Sequence, residues 1–131
     1  GEQAFEELSN IEITDNEIFM TVQDGTLTNT GATFIIENNT NLTIGYGEPY
    51  HLEIKKDGKW YILNAINDLV FIEPLWHLEP DNSIELNISW ENFYGSLDAG
   101  EYRLVKDACF IENDEISEEF YIGVEFIIES D

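Results

Sequence analysis

Apolar and polar side chains alternate along much of this sequence. From Ser83 to Trp90 every even-numbered residue is apolar and every odd-numbered residue is polar. A β-strand points successive side chains to opposite faces of its sheet, so this pattern predicts a strand with one buried face. The same two-residue period returns at 120–128 and, over shorter stretches, at 18–22 and 50–55.

Turn-forming residues separate these runs. Asp57-Gly58 lies between two lysines, and a two-residue Asp-Gly loop predicts a type I′ hairpin. An apolar period typical of a long helix is missing, and the best helical candidate is a turn at 4–8, with a frayed tail as the alternative. We predict seven or eight strands, at about 17–23, 31–38, 49–56, 59–64, 69–73, 83–90, 101–110 and 118–128.

Many short strands at this spacing favour an antiparallel sandwich or barrel. The length suits one domain, which we place at residues 11–131, with residues 1–10 as a peripheral N-terminal tail. The predicted core consists of Met20, Val22, Phe34, Ile36, Leu52, Ile54, Ile84, Leu86, Ile88, Trp90, Tyr102, Leu104, Ile122, Val124 and Phe126.

Lys106 conflicts with the alternation. It shares a face with Tyr102, Leu104 and Phe110, so its side chain should point into the core. Lysines are almost never fully buried unless they are paired. We therefore expect a bulge or a strand end to resolve the conflict.

The segment LDAGEYRL at 97–104 favours a sandwich over a barrel. Immunoglobulin-like sandwiches carry a tyrosine near the start of a late strand, and its hydroxyl bonds to backbone a few residues upstream. Tyr102 stands at such a position after Gly100, which suits a tight backbone path. Leu104 falls where antibody domains place their second cysteine, so this sandwich is expected to be held by packing alone.

Further segments share an order and spacing with a known family: IGYGEPYHLE (44–53), KDGKWY (56–61), LEPDNS (78–83), YGSLDAGEYRLVK (94–106) and VEF (124–126). Over residues 18–128 the chain resembles the bacterial Ig-like domain of small secreted or membrane-attached proteins, mostly from Firmicutes. It departs from the family pattern at two turns, where Asp81 and Ala99 replace the usual Gly and Pro. The resemblance implies an all-β, immunoglobulin-like β-sandwich of two antiparallel sheets with seven to eight strands.

Charge excludes some classes of partner. The 131 residues include 28 acidic and only 5 basic side chains, for a formal net charge of −23. Nucleic acid binding needs a dense basic surface, and an anionic membrane would repel this chain for the same reason. Hydrophobic residues make up 43% of the chain, enough for a folded core, and no apolar run is long enough to span a bilayer.

Catalytic and metal-binding patterns are weak. Cys109 could pair with His51 or His77, but no nucleophile motif surrounds it and it falls within a predicted strand. The acidic stretch 112–119 offers oxygen ligands without a calcium-loop motif. We therefore predict no catalytic residue, no cofactor and no metal site, and the resemblance likewise implies a non-catalytic module.

Aromatic side chains are the remaining binding candidates. Trp60, Tyr61 and Trp76 could stack on a sugar or hold a peptide, whereas Trp90 continues an apolar face and belongs to the core. Lys55, Lys56 and Lys59 are expected to protect an edge strand from pairing with other sheets.

The resemblance implies a place outside the cytoplasm, secreted or attached to the bacterial cell surface. A lipid anchor beyond these residues, as in a lipoprotein, is one possible attachment. The module would act in protein interaction or spacing, with an unknown protein or cell-envelope component as its partner. The alternative is a carbohydrate-binding module that uses exposed aromatic rings.

Overall fold

A computed structural model of the chain describes residues 4–13, 16–69, 71 and 74–130, without the side chain of Glu6. Ten strands and one helical turn occur among these residues: β1 (Phe5–Leu8), β2 (Ile18–Val22), β3 (Gly31–Asn38), β4 (Thr43–Tyr46), β5 (His51–Lys56), β6 (Lys59–Leu63), β7 (Trp76–Leu78), β8 (Ser83–Ser89), α1 (Glu91–Tyr94), β9 (Gly100–Glu112) and β10 (Glu115–Ile128). As α1 is a single turn, the described residues contain no helix that could cross a membrane.

The strands form two antiparallel sheets. The smaller sheet has the order β2-β3-β8, and the larger has the order β1-β6-β5-β9-β4-β7 with β10 also paired to β9. Because β10 pairs with β9 along its whole length, β5 and β4 share the opposite edge of β9, at 102–105 and 108–111 respectively. The predicted all-β, immunoglobulin-like sandwich is confirmed, and β9 is its central strand.

Aromatic rings fill the space between the sheets. Trp90 stacks on Phe126 with ring centroids 5.4 Å apart, and Phe126 stacks in turn on Tyr102 at 5.9 Å. Phe34 meets the edge of Phe126 from the smaller sheet at 6.4 Å. All predicted core residues are buried or packed against the buried cluster, because alternation assigns each strand one inward face.

The tyrosine corner is confirmed. The Tyr102 hydroxyl donates a hydrogen bond of 2.7 Å to the backbone carbonyl of Asp98, and the ring is fully buried. Burial, with a smaller contribution from the Asp98 charge, raises the pKa of Tyr102 to about 12. The hydroxyl therefore keeps its proton, and the bond, throughout the physiological range.

Two hairpin tips have the same local geometry. Asp57 and Gly58 have φ values of 54° and 77°, as the predicted type I′ turn requires. Asn113 and Asp114 have φ values of 53° and 63°, so a second such turn joins β9 to β10. The acidic stretch 112–119 therefore comprises the tip of a long hairpin and the first residues of β10.

Several strand predictions need correction. β1, β4 and β7 were not predicted, so ten strands occur among the described residues where we predicted seven or eight. The expected strand at 69–73 is wrong at Leu69 and Phe71, while its other residues lie outside the described ones. The helical turn considered at 4–8 is wrong, since β1 pairs with β6 there. β1 lies at the edge of the larger sheet, and the domain boundary at residue 10 stays a prediction.

Candidate functional site

A buried polar cluster lies on the face of the larger sheet that points away from the core. Glu53 lies on this face because its neighbours Leu52 and Ile54 occupy the opposite, core-facing side of β5, and its side chain is fully buried. Its Oε2 accepts hydrogen bonds from His51 Nε2 at 2.7 Å and from Ser9 Oγ at 2.8 Å. Its Oε1 accepts one from Arg103 Nε at 2.7 Å, as β9 places the guanidinium opposite the carboxylate.

The chain between β1 and β2 covers this cluster. Arg103 Nη2 donates a 3.0 Å hydrogen bond to the backbone carbonyl of Ile11. Further along, a Cβ at Gly123 would lie 3.0 Å from Ile13 Cδ1 and 2.6 Å from the Leu104 carbonyl oxygen. Gly123 thus lets the covering chain lie close against β10, and the cluster is buried as a result.

Opposing influences act on the charge of Glu53. Burial raises the pKa of the carboxyl, but hydrogen bonds from His51, Ser9 and Arg103, with the Arg103 charge, lower it further than burial raises it. The net pKa lies below the ordinary glutamate value, so the carboxylate is charged at neutral pH. Trp60 covers the pair, with its ring centroid 4.7 Å from Arg103 Cζ.

The contacts within this cluster are those of a structural clamp. Ser9 and His51 both bond to the same carboxylate oxygen. The serine hydroxyl therefore donates to the Glu53 carboxylate and not to the imidazole, which would be its base in a Ser–His nucleophile pair. The groups satisfy one another and hold the N-terminal segment on the sheet.

Cys109 and the histidines do not form a catalytic pair. The Cys109 thiol is buried against the Gly45 carbonyl at 3.7 Å, and burial raises its pKa. His77 lies opposite Gly45 on β7, so β4 separates it from Cys109. His51 is bonded to Glu53. Among the described residues no group of three or more His, Cys, Asp or Glu side chains could hold a metal ion.

Lys106 corrects the expectation of a bulge or a strand end. It pairs with Ile122 in unbroken register, and the residue is 2% exposed. Its Nζ donates to the carbonyls of Gly47, Glu48 and Pro49 at 2.8, 3.3 and 3.1 Å. These carbonyls lie where the chain passes from β4 to β5, so the ammonium satisfies acceptors that face the gap between the two strands. Burial lowers the pKa of Lys106 to about 8.

The three predicted aromatic candidates do not share a surface. Trp60 is half-buried over Arg103, and Tyr61 is half-buried on the other face of β6, against Phe5 at 5.2 Å. Trp76 is 39% exposed and packs on Tyr46 at 5.9 Å. The strands β5, β9 and β4 separate β6 from β7, so Trp60 and Trp76 lie far apart on the sheet.

The lysines at 55, 56 and 59 occupy the tip of the β5–β6 hairpin. β1 pairs with β6 only at 61–63 and β9 pairs with β5 only at 51–54, so the lysines lie beyond both neighbouring strands and their expected role of guarding an edge stays a prediction. Lys55 Nζ lies 5.7 Å from the Trp60 ring centroid.

The sequence did not indicate a groove at the far end of the larger sheet, which we name the outer groove. Its floor is formed by small residues, Gly45, Ala108 and Cys109, and its volume is about 540 Å³. One wall carries Leu69 and Leu75, from the connection between β6 and β7. The opposite wall carries Ile116 and Glu119 of β10, and Asp107 lies at the rim.

A β-bulge explains why alternation missed this groove. Between Ile116 and Glu118 the β9–β10 register shifts, so Ile116 pairs with Ile111 and Glu119 pairs with Cys109. Ile111 and Cys109 share the outward face of β9, and the extra residue therefore brings Ile116 onto the same face as Glu119. Simple alternation back from Phe120 would have pointed Ile116 into the core.

Comparison with known proteins agrees with this architecture. The family model described as the bacterial Ig-like domain matches residues 14–121, most of the chain. Searches of curated proteins and of solved structures found no match. Domains of the matched family are generally non-catalytic. By this match and by its two-sheet sandwich, the chain belongs to the bacterial Ig-like domain family.

Proposed function

We propose that this domain is a non-catalytic module that acts outside the cytoplasm, in protein interaction or spacing at the bacterial cell surface. The family match over residues 14–121 carries this proposal, because domains of the family are often extracellular. The cluster around Glu53 supports its non-catalytic character, since Ser9, His51 and Arg103 all bond to the same carboxylate and hold the fold together. Secretion or attachment through a lipid anchor, in a Firmicutes bacterium, belongs to the same proposal.

Protease accessibility tests the location. Intact cells that carry the parent protein are treated with a protease, and fragments are followed with an antibody raised against the described domain. We expect the protein to be cleaved in intact cells, while a cytoplasmic marker stays whole. If cleavage appears only after lysis, the surface role is wrong.

Turnover assays test the non-catalytic character. The purified domain is incubated with ester, peptide and glycoside substrates, and Glu53→Gln and Cys109→Ser variants serve as controls. We expect no rate above buffer. A rate that either variant abolishes would replace the proposal with an enzymatic one.

Carbohydrate binding is the alternative, and the exposure of Trp76 is the observation that favours it. Trp76, supported by Tyr46, offers one stacking surface, whereas Trp60 and Tyr61 are already engaged within the protein. A glycan array probed with the wild type and with Trp76→Ala separates the two functions. Binding that disappears in the variant would favour the carbohydrate role.

We also propose residues 11–131 as the folded unit, with residues 1–10 as its peripheral tail. The edge position of β1 supports this division. A chain that starts at residue 11 should unfold cooperatively in urea, though at a lower midpoint, because it lacks the Ser9 hydrogen bond to Glu53. A non-cooperative transition would place the boundary nearer the N-terminus.

A further inference from the structure

We propose that the outer groove binds a segment of another protein in which an apolar side chain is flanked by lysine or arginine. This inference deepens the proposed interaction role and rests on it. The outer groove is the surface that the β9–β10 hairpin and the described residues of the connection between β6 and β7 enclose over β4.

The walls of the groove explain the apolar part of the ligand. Leu69, Leu75 and Ile116 are 39%, 47% and 57% exposed, although each is a large aliphatic residue. Their convergence on one concavity distinguishes them from apolar residues scattered singly over a surface. A volume of about 540 Å³ lies within the range of known ligand sites and is large enough for one or two side chains.

The rim explains the charged part of the ligand. Asp107 and Glu119 border the groove, and a neighbouring depression adds Glu118 and the 38% exposed Tyr121. An apolar cavity beside several carboxylates matches an apolar side chain that has cations next to it.

The protein's own cations are committed elsewhere. Three lysines lie at the tip of the β5–β6 hairpin, and Arg103 is bonded to Glu53. Lys106 partly offsets the charge of Asp107, but it is buried on the core side and directs its ammonium at backbone carbonyls. Among the described residues that line the groove and the neighbouring depression there is no lysine or arginine, so the acidic rim can accept a cation from outside.

The same charge argues against two other occupants. A second copy of this chain would bring another net charge of −23 to an acidic rim, and an anionic membrane would be repelled as well. A cationic protein segment is the occupant that is complementary both to the apolar walls and to the rim.

Three labelled peptides test the chemistry by fluorescence polarisation on the wild-type domain. The first has a leucine–phenylalanine pair flanked by lysines, the second has glutamates as the flanks, and the third keeps the lysines but replaces the apolar pair with serine and asparagine. We expect the first to bind at least tenfold more tightly than each of the others. If the two lysine peptides bind equally, binding depends on charge alone and not on the apolar pair, and the proposal is overturned.

Matched variants on β10 locate the site. Ile116 and Ile127 are 57% and 58% exposed on the same strand, and only Ile116 lines the groove. Ile116→Asn should weaken the first peptide about tenfold, and Ile127→Asn less than twofold. Glu119→Gln should weaken it about twofold to fivefold at low salt and more than Glu125→Gln, which removes the same charge elsewhere. Equal losses within either pair would show that the peptide binds outside the groove.

Sedimentation of the free domain tests the remaining occupant. The domain should remain monomeric, and a dimer abolished by Ile116→Asn would assign the groove to a second copy, against this proposal. Failure of the peptide to bind, with protease cleavage intact on whole cells, would overturn the groove's role and leave the proposed surface function standing. Protection from protease on whole cells would instead overturn the surface function.

Discussion

Arg103 and Lys106 are both buried on β9, on opposite faces of the larger sheet, and the protein accommodates them differently. Arg103 meets a full negative charge, the fully buried Glu53, at 2.7 Å. Lys106 meets three backbone carbonyls, while the charges of Glu48 and Asp107 also favour its protonated form. The Glu53 pKa lies below its ordinary value, so that pair is fully ionised at neutral pH, whereas burial lowers the Lys106 pKa to about 8.

This difference shows what each kind of partner can do for a buried cation. A carboxylate offsets the loss of hydration with a full charge, and hydrogen bonds from Ser9 and His51 satisfy its remaining capacity. Carbonyl dipoles offset less of the lost hydration, so the pKa of the lysine falls to about 8, close to neutral pH. The first arrangement anchors a chain segment firmly, and the second gives a contact that depends on pH.

The largest effect should come from breaking the charged pair. Glu53→Ala leaves the Arg103 guanidinium buried without its carboxylate, and we expect the free energy of unfolding to fall by about 3–5 kcal/mol. Urea denaturation measures this loss. Glu125→Ala, on an exposed residue opposite Arg103 on β10, is the control and should stay within about 0.5 kcal/mol. Similar small changes in both variants would show that the pair contributes little.

Lys106→Met should have the next largest effect. It leaves the carbonyls of Gly47, Glu48 and Pro49 without their donor, at an expected cost of about 1–3 kcal/mol near pH 7. Lys56→Met, at the exposed hairpin tip, is the matched control and should be nearly neutral. Equal stabilities of the two variants would contradict a role for the ammonium in holding this connection.

The pH dependence of the same variant sharpens the comparison. The folded pKa of Lys106 is about 8, below the ordinary 10.5, so between these values the unfolded chain binds more protons and stability rises with pH. From pH 7.5 to 9.5 the stability difference between wild type and Lys106→Met should grow by about 1–2 kcal/mol in favour of wild type. Urea midpoints across this range measure it, and a constant difference would contradict the lowered pKa.

Tyr102→Phe provides a neutral standard on the same strand. It removes one uncharged hydrogen bond, to the Asp98 carbonyl, and should cost about 1 kcal/mol. The loss should be constant from pH 6 to pH 9, because the raised pKa of Tyr102 keeps its proton in place. An unchanged urea midpoint in this variant would count against the tyrosine corner as a stabilising contact.

The smallest effect should come from the ring over the charged pair. Trp60→Leu removes the face that lies 4.7 Å from Arg103 Cζ, and we expect a loss of about 0.5–1 kcal/mol. Trp76→Leu, whose ring is exposed on β7, is the control and should change stability less. The reverse order would place the more important ring contact at the far end of the sheet.

Local patterns predicted much of the fold because they depend on near neighbours in the chain. Alternation at Ser83–Trp90 and at 120–128 follows from the strand period itself, and Asp57-Gly58 carries its turn geometry in its own backbone. Tyr102 was predictable for the same reason, since its partner lies four residues upstream. These features do not depend on how the strands are arranged in the sandwich.

Tertiary structure decided which polar side chains are buried and which surface is open. The cluster of Ser9, Glu53 and Arg103 joins distant parts of the chain, so no local period could indicate it. Lys106 was correctly placed on the inward face by its position, but its partners depend on where β4 ends and β5 begins along β9. The outer groove depends on a single extra residue in β10, which reverses the face of Ile116. The sequence alone therefore determined most strands and the apolar interior, because side-chain direction repeats along a strand. The polar contacts and the groove were decided by the tertiary structure, because they require strands that are remote in sequence to lie side by side.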